Sequence, residues 1–184
     1  MSANPSLDFI AWKPEYECPV RLINCQHHEV LLFLNSWYVD LKLGRFDRKH
    51  LMGYLQRRFD FLAHYCESHL SFEDDVLVLL TRRYGFPEAE YLAHQRSHQE
   101  FKANFLANLR SQIDVFAKSG ASYLTDTILI DVLKDVAGWW YAHIRAPRDG
   151  KPGGPDHVYR MHMAGMSGAD MHAMMNDLLV MAEL

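Results

Sequence analysis

Apolar positions recur every three or four residues through most of the chain, which is the period of one face of an α-helix. A first stripe runs Ile23, His27, Leu31, Leu34, Tyr38, Leu41 and stops at Gly44. Asp47 can cap a second, longer stripe through Leu55, Phe59, Leu62, Cys66, His69, Glu73, Val76 and Leu80, which Gly85 and Pro87 end. A third, Tyr91, His94, His98, Phe101, Phe105, Leu109, Ile113 and Phe116, ends at Gly120. A fourth, Leu129, Val132, Val136, Trp139 and His143, ends near Pro147. No segment alternates as a strand would. Four long amphipathic helices with short connections predict an all-α, antiparallel up-down four-helix bundle.

The flanks read differently. Residues 1 to about 18 carry Pro5, Pro14, Trp12 and Tyr16, which suits an irregular N-terminal arm packed onto the bundle. From Arg148 a Gly/Pro-rich linker, Asp149 to Pro155, leads into a Met- and His-rich C-terminal extension. Asp170 can cap a last short helix from Met171 to about Glu183, while Gly165 and Gly168 make the preceding stretch a poor helix former. The expected organisation is therefore residues 1–149 as the bundle domain with its arm, and 150–184 as a linker and extension packing on the bundle or on a partner chain.

Composition narrows the function classes. A chain of 184 residues suits a single domain, and a net charge of −4 leaves no electrostatic footprint for nucleic acid. The N-terminus lacks a basic stretch followed by an apolar run, so a cytoplasmic location is expected. The most apolar segment, Ile128 to Trp140, is interrupted by Asp131, Lys134 and Asp135, and no membrane span is expected. Cys18, Cys25 and Cys66 are odd in number and in no metal-binding spacing, so reduced thiols are expected, with Cys25 and Cys66 as small buried hydrophobes.

The chemistry lies in polar residues on apolar stripes. His27, His69, Glu73, His94, His98 and His143 all fall there, where an unsatisfied polar group costs several kcal/mol. His69/Glu73 and His94/His98 are each spaced i, i+4, which puts both members on one helix face about 5–6 Å apart at Cβ. One such histidine is usually a hydrogen-bonded core residue; this many, contributed by four helices at one level, point to a metal site. Imidazole and carboxylate without thiolate select iron, zinc or copper, and five imidazoles exceed what one tetrahedral zinc can use, so two metals fit better. The carboxylate-rich di-iron oxidases use paired Glu-x-x-His motifs, and this sequence has none.

The order His, HxxxE, HxxxH, His, then Asp resembles the hemerythrin family, and in particular its bacterial members. Flanking residues agree: Trp12, Ile23-Asn24-Cys25-Gln26-His27 with Asn35 downstream, His69-Leu-Ser-Phe-Glu73-Asp74, Phe86-Pro87, His94 through His98 to Phe101, and Trp139-Trp140-Tyr-Ala-His143-Ile144. The resemblance covers roughly residues 10 to 149. It implies an oxo- or hydroxo-bridged pair of iron ions, with His94, His98 and His143 on the six-coordinate iron and His27 and His69 on the five-coordinate one. Glu73 and the final Asp would bridge them. It further implies reversible binding of dioxygen as a hydroperoxide, for storage, delivery or sensing, in a protein that is not an enzyme. The alternative is a di-iron oxidoreductase or stress protein acting on peroxide or nitric oxide.

The sequence departs from the family pattern in three places. The family spaces its last pair H-x-x-x-x-D, whereas Asp149 lies six residues after His143 with Arg148 at the family's position. Asp149 is expected to bridge, the chain bulging around Pro147; water, Asp156 or another group in its place would overturn that. The stretch between Glu73 and His94 is longer than usual and is expected to be absorbed as added helix. Trp140 stands where the family has Leu, one turn before His143, and is expected to wall the oxygen pocket. In the extension, Met161-His162-Met163, Met166 and Met171 to Met175 suit a soft metal, but adaptable packing against the bundle or self-association is the favoured reading, with no ligand to the irons.

Overall fold

The structure, a computed structural model, describes residues 10–45, 47–119, 124–147 and 152–182. Their elements are α1 (Arg21–Leu43), α2 (Leu51–Arg83), α3 (Glu88–Glu100), a π-helical turn (Phe101–Leu106), α4 (Ala107–Ser119), α5 (Leu124–Ile144), α6 (Pro155–Ala164) and α7 (Gly168–Ala182). Short 3-10 turns at Pro14–Tyr16 and Arg48–His50 precede α1 and α2. No strand occurs among the described residues, and no helix there is long and apolar enough to cross a membrane.

The punctuation acts as the local chemistry requires. Gly44 and Gly85 have φ of 60° and 71°, the left-handed conformation that glycine adopts without a Cβ penalty. At Gly44 the ends pair as in a Schellman motif, Gly44 N–H to Leu41 O at 3.4 Å and Arg45 N–H to Asp40 O at 2.9 Å. Asp47 does cap, though the turn it caps is 3-10: its Oδ1 accepts the Lys49 N–H at 2.9 Å. The third expected helix is present as α3, the π turn and α4. Glu100 and Ala107 on either side of the π turn have ordinary helical angles, so the helical path continues through it. That turn was not legible in the apolar period, because one residue's excess within two turns hardly shifts the stripe.

The extension corrects two expectations. A helix, α6, forms before Gly165 despite the nearby glycines, because Asp156, Tyr159, Arg160 and Met163 are spaced to bury one face. In α7 the cap is Ser167, not Asp170: Ser167 Oγ accepts the Asp170 N–H at 3.1 Å and donates to Asp170 Oδ2 at 2.7 Å.

The chain divides into two compact units, and several helices belong partly to each. The first comprises 1–12, 28–66 and 100–141. Its buried side chains include Leu34, Trp37, Leu55, Leu62, Leu109, Val136 and Trp140. Phe101 stacks on Trp139 with centroids 4.1 Å apart and meets Trp140 edge-on at 5.9 Å. The arm is pinned there by Asn35, whose Oδ1 accepts the Ile10 N–H at 2.9 Å and whose Nδ2 donates to Ile10 O at 2.7 Å.

The second unit comprises 13–27, 67–99 and 142–184. Its core gathers Cys18, Val20, Ile23, Val76, Leu77, Leu80 and Phe86 with Tyr159, Met163, Met174 and Leu178. The extension is thus built into this core, and its methionines serve as apolar filler, Met166, Met171 and Met175 packing against its edge. Asn24 ties down the start of α1 by exchanging two bonds of 2.8 Å with the Cys18 backbone. None of Cys18, Cys25 and Cys66 forms a disulfide; Cys66 is buried, whereas Cys25 is exposed, contrary to the expectation of a buried hydrophobe, since it faces away from the His27 stripe.

Candidate metal centre

Six of the residues read from the sequence come together in the second unit. His27 comes from α1, His69 and Glu73 from α2, His94 and His98 from α3, and His143 from the last turn of α5, all buried. Glu73 lies at the middle. Its Oε2 is 3.4 Å from His98 Nε2, 3.5 Å from His69 Nε2, 3.6 Å from His94 Nε2 and 3.7 Å from His143 Nε2. Its Oε1 is 3.3 Å from His27 Nε2.

The rings are turned inward by what holds their far nitrogens. Gln26 Oε1 lies 2.9 Å from His69 Nδ1, Asp74 Oδ1 lies 3.0 Å from His98 Nδ1, and Ser97 Oγ lies 3.4 Å from His143 Nδ1. Partners on Nδ1 fix ring orientation and leave Nε2 to bind, as around metal-ligating histidines generally.

A second buried carboxylate completes the cluster, and it is Asp156 in the first turn of α6. Its Oδ1 is 2.8 Å from His143 Nε2 and 3.6 Å from His94 Nε2, and its Oδ2 is 3.2 Å from His27 Nε2. Asp149, the expected second bridge, lies outside the described residues; among those described, the carboxylate that joins Glu73 is Asp156. The extension was expected to provide no ligand; in the structure its helix α6 brings Asp156 to the cluster, and Tyr159 OH donates to Glu73 Oε1 at 2.8 Å.

Local features place α6. Gly154 N–H donates to Arg145 O at 2.9 Å, and a Cβ on Gly154 would stand 2.1 Å from His143 O and 2.2 Å from Ala142 O. Only glycine lets the chain pass so close to the end of α5. The buried Arg160 then spends its guanidinium on three carbonyls, Asp156 O at 3.2 Å, Glu15 O at 3.0 Å and Ile144 O at 3.0 Å. The signal in the sequence was Asp156, Tyr159 and Arg160 at i, i+3 and i+4 among apolar neighbours. It is a weak one, because a polar stripe of that kind on a short helix usually faces solvent. Trp140 is buried in the first unit beside Phe101 and Trp139.

The donors fit a metal. They form two sets, Glu73 with His94, His98 and His143, and Glu73 with His27 and His69, each with its ligand atoms within 4.8 Å of one another. Glu73 belongs to both. Glu73 Oε2 and His94 Nε2 are buried without a hydrogen-bond partner, and His98 Nε2 faces His143 Nε2 at 3.2 Å. Lone-pair donors turned toward one another in a buried volume are costly unless a cation lies between them. This buried His/Glu cluster can hold a metal ion.

Its electrostatics are divided. Burial pushes the His69 ring down to about 3 and also lowers His94. At His143 burial opposes the charged ring, but Asp156 and Glu73 together outweigh it and raise it to about 9; Asp74 and Glu73 likewise raise His98 against burial. Burial opposes ionisation of Glu73 and Asp156, yet the surrounding imidazoles hold Glu73 well below the usual carboxylate range and lower Asp156 as well.

These shifts predict how the metal-free protein responds to pH. The folded chain binds fewer protons than the unfolded one at His69 from its ordinary 6.5 down to about 3, and at both carboxylates further into acid, so stability falls with acidification. His143 contributes stability that is full below 6.5 and is lost as pH rises toward about 9. The melting temperature of the chelator-treated protein should therefore peak near pH 6.5. Circular-dichroism melts across pH 4 to 10 check this, and a melting temperature still rising from neutrality into alkali would contradict it.

No protein-family model, curated protein or solved structure matches the chain in such comparisons.

Proposed function

We propose that the chain is a hemerythrin-like di-iron protein that binds dioxygen reversibly, with α1, α2, the helix from α3 through α4, and α5 as its antiparallel four-helix bundle. The observation that carries this is the pair of unequal donor sets sharing Glu73, three imidazoles in one and two in the other. Glu73 and Asp156 would serve both positions, and the one with His27 and His69, having fewer imidazoles than the one with His94, His98 and His143, would keep room for a ligand. A bound iron pair supplies the electrons and the open coordination position that dioxygen needs.

The chain's own residues do the rest. Burial of every donor excludes water, which protects a reduced pair from side reactions. Gln26, Asp74 and Ser97 keep three imidazoles aimed. Tyr159 holds Glu73 Oε1 by a donated hydrogen bond, which fixes the carboxylate so that it can span two positions. Five imidazoles with two carboxylates favour reversible binding over the oxidative chemistry of carboxylate-rich pairs.

The test is iron content together with the optical spectrum of the anaerobically reduced protein before and after oxygen. Two irons per chain, and an absorption band that appears with oxygen and vanishes on its removal, are expected. A single zinc per chain, or oxidation that oxygen removal does not reverse, would overturn the reading.

A further inference from the structure

A metal ion held at so buried a cluster would have to reach it from the surface, and a cleft beside α3 has one of the candidate ligands in its lining. A cleft of about 200 Å³ is lined by Glu90, Ala93, His94, Gly153, Gly154 and Val158, with Pro155 at its edge. His94 is one of the candidate ligands, and it forms the inner wall while remaining only 3% exposed. Glu90 precedes it by one helical turn on the same face of α3, so an exposed carboxylate and a buried imidazole follow one another from the mouth inward. Gly153 and Gly154 complete the lining with no side chains of their own. On the far side of His94, its Nε2 is 3.6 Å from both Glu73 Oε2 and Asp156 Oδ1.

Two other described clefts lack this sequence of groups. The larger of them, about 350 Å³, has Glu15 and Glu17 but also the Arg160 guanidinium in its wall and no candidate ligand. A cation drawn there meets no candidate ligand to pass to. The other, about 230 Å³, is lined by Ile10, Trp12, His28, Leu32 and Asn35 in the first unit and carries no carboxylate.

We infer that the Glu90–His94 cleft is the port through which a divalent metal ion is loaded, Glu90 attracting the hydrated cation and His94 taking it inward to Glu73 and Asp156. This rests on the proposed metal centre but not on its use of oxygen. A port residue controls how fast metal arrives and leaves the bound state untouched, so rate and equilibrium must separate.

The chelator-treated full-length chain, mixed with Co²⁺ in a stopped-flow instrument and followed by the absorbance of the bound ion, reads both. Glu90→Lys should slow uptake roughly tenfold at low salt, with the difference shrinking as salt screens it. Ala93→Phe, at an exposed position that tolerates the ring, should slow uptake at every salt concentration. Both variants should reach the wild-type stoichiometry and affinity, and Glu17→Lys in the Arg160 cleft should load at the wild-type rate. Wild-type rates in both port variants, or equal slowing by Glu17→Lys, would overturn the port. A wild-type chain that takes up no Co²⁺ or iron would instead sink the metal centre itself, before any variant is compared.

Discussion

Glu73→Gln is expected to strip the protein of metal. The substitution keeps the shape of the side chain and the partner for Tyr159 OH, but removes the one charge common to both donor sets. An amide cannot span two cations as a carboxylate does, and even partners outside the ligand shell are worth about 10–100-fold in affinity, so the loss should exceed a hundredfold. Elemental analysis after dialysis against a weak chelator reads it, with far-ultraviolet circular dichroism to show that the helices remain. Asp74→Asn is the graded companion. Asp74 stands behind the His98 ring, 3.0 Å from its Nδ1, and its loss should cost about tenfold without emptying the site. Two metal ions retained in Glu73→Gln would mean that Glu73 is not shared between two positions.

Asp156→Asn should lower metal affinity by a hundredfold or more, while Asp149→Asn leaves it unchanged. The expectation rests on Asp156, which stands in α6 against His27, His94 and His143 and gives the cluster its second carboxylate. Gly154→Ala should act in the same direction as Asp156→Asn, since its Cβ would collide with the carbonyls of Ala142 and His143 and push α6 away. Ending the chain after Gly154 should abolish metal binding, because it removes Asp156 and Tyr159 together. It also removes Tyr159, Met163, Met174 and Leu178 from the core, at about 1.5–3 kcal/mol per buried side chain. The point substitutions therefore carry the argument, and isothermal titration of metal-free protein with Zn²⁺ measures them. Full affinity in Asp156→Asn together with loss in Asp149→Asn would restore Asp149 as the second carboxylate.

Most of the buried His/Glu cluster was legible in the chain before any fold was known. His27, His69, Glu73, His94, His98 and His143 interrupt apolar stripes of helical period, and a helix converts spacing into direction, so i, i+4 pairs had to share a face. The same period placed four long helices, with Gly44 and Gly85 at their ends, because those signals act within a few residues. What the tertiary structure alone decided is the second carboxylate. Asp156 is separated from His143 by a Gly/Pro-rich stretch, and nothing in the local sequence states where the chain after such a stretch returns. The placing of Asp156 depends on Gly154 passing against the end of α5, on Arg160 reaching the carbonyls of Glu15 and Ile144, and on Tyr159 and Met163 finding an apolar bed. Each of those is a contact between residues far apart in the chain, and the free energy that makes a helix of 155–164 is the burial of one face against them rather than any propensity of its own.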